Sequence, residues 1–268
     1  MNPTPILSRI TIFPVKSLDG VFLQKAKISE GGCLLHDREF ALTDESGNFI
    51  IGKTNPLVHG LRSDVDIEQE TIYLKHPGDY NGRSFHLKND LLAIQTYLSA
   101  YFGFPIFLKK NVTGRFLDIP DISGVTVLSN ASLQSISEGY HTMNLDETRK
   151  RFRATIEIEG VPAFWEDHLF ASEGTGIEFT IGDVTLFGMS PRARCVVPTR
   201  HPENGEVIHA FPKSFSKLRK HSLPEWSTLP EYGHFYFLTV NCFIPASEIG
   251  KCIEVGNKIT IIGKKKFY

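Results

Sequence analysis

Short apolar or alternating runs, separated by Gly, Pro, Asn and Asp, dominate this chain and predict a mainly β protein with few helices. In the first half, strands are expected over residues 10–13, 21–28, 39–43 and 49–51. Asp44-Glu-Ser-Gly47 supplies turn chemistry between the last two. Further strands are expected over 65–74 and 106–109. Leu91, Ile94, Leu98 and Tyr101 recur at helical spacing, so a helix is expected over 91–101, with Asn89 or Asp90 as its cap. Gly103 and Pro105 stop it.

Pro120 and the Asp-Ile-Ser-Gly run after it read as a connector. Two domains are therefore expected, residues 1–118 and 119–268. A strand over 125–128 leads into a helix capped by Ser129 or Asn130 and carrying Leu133 and Ile136. Asn144-Leu-Asp-Glu147 has the form of a capping box with Asn at the cap. Its helix runs to Arg153, followed by an alternating strand over 154–158. Later strands are expected over 177–181, 184–188, 207–211, 234–240 and 258–262. Repeats and a glycine-rich phosphate loop are absent from the sequence. The fold class expected is mainly β with some helices (α+β), built from barrel-like domains.

The net charge of −1 offers no global attraction to nucleic acid or to an anionic membrane, so neither is expected as a partner. No apolar run reaches the roughly 18 residues a transmembrane helix needs. The N-terminus lacks a basic segment followed by an apolar one, so no secretory signal is expected. Cys33, Cys195, Cys242 and Cys252 are widely spread. That spacing argues against a disulfide framework, a structural zinc site and a plant-type iron–sulfur cluster. A reducing, cytoplasmic setting fits.

The segment 189–206 carries the most chemistry. It sets Cys195 beside Arg192 and Arg194, ahead of a short β-branched run. A thiolate is a ligand for a soft or high-valent metal, and cationic neighbours favour the thiolate. Such a site suits a metal whose other ligands come from an anionic cofactor. From composition alone, a plain buried cysteine is the commoner case. Cys33, Cys242 and Cys252 read as structural. For Arg38 alone a surface pair to Asp37 or Glu39 is the commoner fate, and Arg153 is compatible with a core-edge side chain. Lys16 and Ser17 are equally compatible with a strand end after Pro14. Thr199, Arg200 and His201 are placed to line a substrate mouth, although an exposed loop is the commoner fate of such a histidine. Asn204-Gly205 reads as a tight turn, Phe164 and Trp165 as core, and the basic run 215–221 as a solvated helix face.

Four motifs occur in order: Phe13-Pro-Val-Lys-Ser17, Asp37-Arg38-Glu-Phe40, Phe152-Arg153 and Arg194-Cys-Val-Val-Pro-Thr199. In this set the chain resembles the MOSC-domain proteins with an N-terminal β-barrel domain, the group that includes the amidoxime-reducing components and their bacterial relatives. The resemblance implies a MOSC N-terminal β-barrel domain over 1–118 and a MOSC β-barrel domain over 119–268. It also implies a molybdenum cofactor (molybdopterin) in the cleft between them. Cys195 matches the metal ligand and catalytic centre. Lys16, Ser17, Arg38, Arg153 and Arg194 fall at cofactor-binding positions. Two positions depart from the amidoxime-reducing pattern: Ala193 stands where a serine is usual, and Ala154-Thr155 where Pro-Asn is usual.

The function implied is a molybdenum-cofactor-dependent oxidoreductase acting on small N-hydroxylated compounds. With no cysteine set for a ferredoxin domain, its electrons are expected from a separate donor protein of ferredoxin or cytochrome type. Two other readings use the same residues. One is a non-catalytic cofactor carrier. The other is a sulfur-transfer protein with a Cys195 persulfide, suggested by the related C-terminal domain of cofactor sulfurases.

Overall fold

The computed structural model describes residues 4–113, 115–119, 122, 124–140, 143–223 and 234–267. Pro120, Asp121 and Ser123 of the expected connector lie outside the described residues. The first half contributes β1 (Ile6–Ile12), β2 (Val21–Leu23), β3 (Lys25–Lys27), β4 (Phe40–Thr43), β5 (Arg62–Asp66), β6 (Thr71–Lys75), β7 (Arg83–His86), α1 (Leu91–Phe102) and β8 (Phe107–Lys110). The second half adds β9 (Val125–Ser129), α2 (Asn130–Gly139), α3 (Leu145–Phe152), β10 (Ile156–Glu159), β11 (Thr175–Ile181), β12 (Val184–Ala193), α4 (Phe211–His221), β13 (Phe237–Phe243), β14 (Cys252–Glu254) and β15 (Ile259–Lys266). The chain is thus mainly strand with some helix.

Eight strands form one sheet in the order β15-β11-β12-β13-β9-β10-β1-β2. Among the described residues it is not a closed barrel. A single bridge, Ile6 to Lys258, brings the start of β1 against the start of β15. Apolar residues of these strands, Leu7, Ile10, Val127, Ile156 and Phe179 among them, form the largest core. A second core gathers Phe40, Leu42, Leu74, Ile94, Leu98 and Leu108 from β4–β8 and α1. A third packs Leu133, Ile136, Phe152, Phe211 and Phe215 between α2, α3 and α4.

Local chemistry explains the helix ends. Ser129, not Asn130, caps α2 and accepts from the Ser132 N–H at 3.1 Å. Asn144 caps α3 and accepts from the Glu147 N–H at 2.8 Å. Gly103 ends α1 in the left-handed region, φ 80°, where a residue without Cβ is unstrained. Asp90 precedes α1 without capping it; its carboxylate takes the His86 N–H instead, at 2.8 Å.

Several expected strands differ. Residues 21–28 split into β2, which pairs with β1, and β3, which pairs with β14. Residues 65–74 are not one strand but a hairpin of β5 and β6, reversed around residues 67–70. Residues 49–51 contribute only a bridge from Phe49 to Thr43. Residues 207–211 form no strand beyond a Val207–Arg200 bridge. There Pro212 opens α4, and Phe211 and Phe215, four apart, are buried on one helix face. The strand expected over 184–188 runs on to Ala193 as β12. It passes tightly under the turn at Trp165–Leu169: a Cβ on Gly188 would lie 1.7 Å from the Leu169 carbonyl oxygen. Shifts of register against β13 after Gly188 and Pro191 bend its far end.

Candidate functional site

Three of the expected site residues, Ser17, Arg38 and Arg153, hold left-handed backbones with φ of 71°, 50° and 51°. For a residue bearing a Cβ this costs on the order of 1 kcal/mol, so the surroundings must enforce it. Arg153 is the C-cap of α3, and its N–H closes on the Arg149 carbonyl. The turn places its guanidinium 4.1 Å from the centre of the Phe13 ring, with one NH donating to the Leu18 carbonyl at 2.6 Å. The Arg38 guanidinium stands 4.6 Å from the same ring. Arg38 pairs with the carboxylate of Asp37, which is fully buried and also accepts the Phe13 N–H at 2.8 Å. The expected surface pair is therefore an anchored one. Lys16 donates to the Phe116 carbonyl at 2.8 Å and to Asp118 at 2.5 Å.

Past the end of β12, Arg194 donates its N–H to the Tyr236 carbonyl at 3.0 Å. The Tyr236 hydroxyl donates back to the Cys195 carbonyl at 3.2 Å. Cys195 is exposed, and its sulfur faces the Val197 N–H at 3.5 Å. A 3₁₀ turn, Val197–Thr199, follows. The buried Arg151 holds this turn to α3: it donates to the carbonyls of Pro198 at 2.8 Å and Arg200 at 2.7 Å while paired with Glu147. Arg194 reaches the Phe152 carbonyl at 2.9 Å. Arg192 bonds Asn241 at 3.0 Å and Asp118 at 2.7 Å. Burial pushes Asp118 up, yet Lys16 and Arg192 hold it below the usual carboxylate range.

All six expected site residues, Lys16, Ser17, Arg38, Arg153, Arg194 and Cys195, line one cleft of about 810 Å³. Its lining carries twelve Lys and Arg against four Asp and Glu, in a chain whose net charge is −1. Those four acids are already paired: Asp19 with Arg62, Asp118 with Lys16 and Arg192, Asp146 and Glu203 with Lys150. Burial pushes Arg153 and Arg194 down to about 10, helped by the charges of Arg38 and Arg192 respectively. Burial and like charge disfavour these two cations, and a bound anion would offset both effects. The buried Nε atoms of Arg62, Arg194 and Arg200 have no partner among the described residues. Size, charge and the unsatisfied Nε of Arg194 together fit a phosphate-bearing cofactor. No cluster of three or more His, Cys, Asp or Glu suited to a metal occurs among the described residues, and Cys195 is the cysteine that lines the cleft.

Of the three residues expected at the mouth, Arg200 lines the cleft, whereas Thr199 is buried with its hydroxyl on the Val196 carbonyl at 2.6 Å. His201 instead takes the Glu203 N–H on its ring at 3.3 Å. Cys33 and Cys242 are buried, and burial pushes Cys33 up to about 11 and Cys242 further. Of the two departures, Thr155 is used structurally: its hydroxyl takes the Thr126 N–H at 2.7 Å and joins β10 to β9. Ala193 is exposed at the end of β12. Sequence reasoning missed Asp118, Tyr236 and Arg151, whose roles depend on partners distant in the chain, and set Asp37 at the surface where it is buried. Glu147 and Arg151, four apart on α3, were the one local signal.

Residues 4–97 match the MOSC N-terminal beta barrel domain. Among curated proteins, the chain is similar to the molybdenum cofactor sulfurase of Oryza sativa subsp. japonica, 20% identical over 247 residues. The match covers 75% of this chain and 29% of that protein, so the chain spans less than a third of its relative's length.

Proposed function

Taking the chain as a MOSC-domain protein, we propose that its cleft holds the molybdenum cofactor and that Cys195 ligates the metal. The observation that carries this reading is the convergence of one exposed thiol and five matched donors on a single cationic cleft. Lys16, Arg38 and Arg153 supply charge-assisted hydrogen bonds to a phosphate, and the Ser17 hydroxyl adds a neutral donor. The planar fork of each arginine also suits a pterin edge. Arg194 turns the chain toward α3 just before Cys195 and offers its unpaired Nε. The cofactor, when bound, supplies redox chemistry capable of removing an oxygen from a substrate. The protein's part is to orient that group, keep Cys195 accessible and surround it with positive charge.

The activity proposed is reduction of small N-hydroxylated compounds, with electrons from a separate ferredoxin- or cytochrome-type donor. The test is turnover of an amidoxime by protein produced in a cofactor-making host, driven by a chemical reductant. The expected result is turnover by wild type and its loss in Cys195→Ser. Equal turnover by both defeats the assignment of Cys195.

The similarity to a molybdenum cofactor sulfurase favours a second reading, sulfur transfer through a Cys195 persulfide. The exposure of the thiol is compatible with it. Intact-mass and peptide spectra separate the two: one extra sulfur on Cys195, with little molybdenum, supports transfer. A tightly held cofactor that no reductant can cycle supports a carrier instead.

A further inference from the structure

Arg200 is a cleft arginine to which the cofactor reading assigns no contact. Arg200 lies five positions after Cys195 and lines the same cleft. Its backbone is fixed: the N–H donates to the Val197 carbonyl at 3.0 Å, the carbonyl accepts from Arg151 at 2.7 Å, and the residue bridges Val207. Its guanidinium, by contrast, forms no ion pair among the described residues, and its Nε is buried without a hydrogen bond. The acids that line the cleft are occupied by Arg62, Lys16, Arg192 and Lys150. His59, a buried residue of the 3₁₀ turn Pro56–Gly60, lines the same cleft. Burial first, and then the charges of Arg200, Arg153 and Arg62, keep its imidazole below the ordinary range. Arg200 thus shares the cleft with the exposed Cys195 on an anchored backbone, with no acid paired to it among the described residues.

We propose that Arg200 is a substrate-anchoring residue, and that the compounds this cleft takes carry a carboxylate or phosphate besides the group acted on. This inference rests on the cofactor reading for the position of the reacting centre. An unpaired, half-buried guanidinium is costly unless an anion completes it, and a planar fork on a fixed backbone selects for one. A neutral substrate would leave the Arg200 Nε without a partner.

The experiment compares benzamidoxime with para-carboxybenzamidoxime by calorimetric titration, using wild type, R200M and R200K. Wild type is expected to bind the carboxylate at least about tenfold tighter, the worth of a charge-assisted hydrogen bond. R200M is expected to reduce that ratio toward one and R200K to retain part of it. R200Q repeats the test should R200M not fold. Equal affinities in wild type, no binding of either probe, or a ratio preserved in R200M overturns the proposal. Bound pterin is measured in every sample. Its loss in R200M assigns Arg200 to the cofactor and also overturns the substrate role. Its absence from wild type defeats the cofactor reading, while the affinity ratio still decides whether Arg200 selects anions.

Discussion

Left-handed backbones at Ser17, Arg38 and Arg153 put three cleft-lining side chains where an ordinary turn would not. Phe13 shows why the arrangement holds: its ring is approached by two guanidiniums and its N–H is fixed by Asp37. The motif around Arg38 was legible in the sequence. That Asp37 is the buried anchor was not, because burial is decided by segments far along the chain. A second buried acid carries a pH prediction. Glu166 accepts from the Ser132 hydroxyl at 2.9 Å and the Ser129 N–H at 3.3 Å. Burial, and then Asp167, push its carboxyl up to about 7, while Arg219, paired with Asp167, opposes the rise. The folded protein therefore holds this proton more tightly than the unfolded chain. The stability it contributes is full below the ordinary 4.5 and is lost as pH rises through about 7. Glu166→Gln is expected to flatten the fall in stability across that window by up to about 1.4 kcal/mol per pH unit. Urea unfolding at several pH values checks this, and a slope equal to wild type would contradict it.

Elements whose boundaries rest on local chemistry were read correctly from sequence. α3 starts at Asn144, and α1 stops at Gly103. Elements that depend on a distant partner were not. β3 is only three residues long, and it exists because β14, more than two hundred residues away, pairs with it. The run 207–211 alternates like a strand, yet it pairs only through the single Val207–Arg200 bridge, and α4 starts at Phe211 with Pro212 in its first turn. The element that matters most for the site is α3, which carries Arg153 at its end and holds the turn after Cys195 through Arg151. Arg151→Met removes bonds to the buried Pro198 carbonyl and the half-buried Arg200 carbonyl and breaks the pair with Glu147. It is expected to lower unfolding stability by about 3 kcal/mol, as loss of one partner of a buried pair does. A change within about 0.5 kcal/mol, ordinary for a surface substitution, contradicts the tie between α3 and the cysteine turn.

Across the whole molecule, near-neutral total charge conceals a concentrated field. Twelve basic side chains from both halves of the chain converge on one cleft that holds four acids. No helix among the described residues is long and apolar enough to cross a membrane. Composition alone hid the cleft, since −1 averages over the basic wall and acids elsewhere. The ordered motifs revealed its members, and folding brought them together. The central claim is that Cys195 and this basic wall hold a molybdenum cofactor. The most direct test is molybdenum and pterin per protein, by elemental mass spectrometry and pterin release, for wild type and Cys195→Ala from a cofactor-making host. The account predicts near one molybdenum and one pterin in wild type, with the metal lost from Cys195→Ala. Wild type lacking both would contradict it.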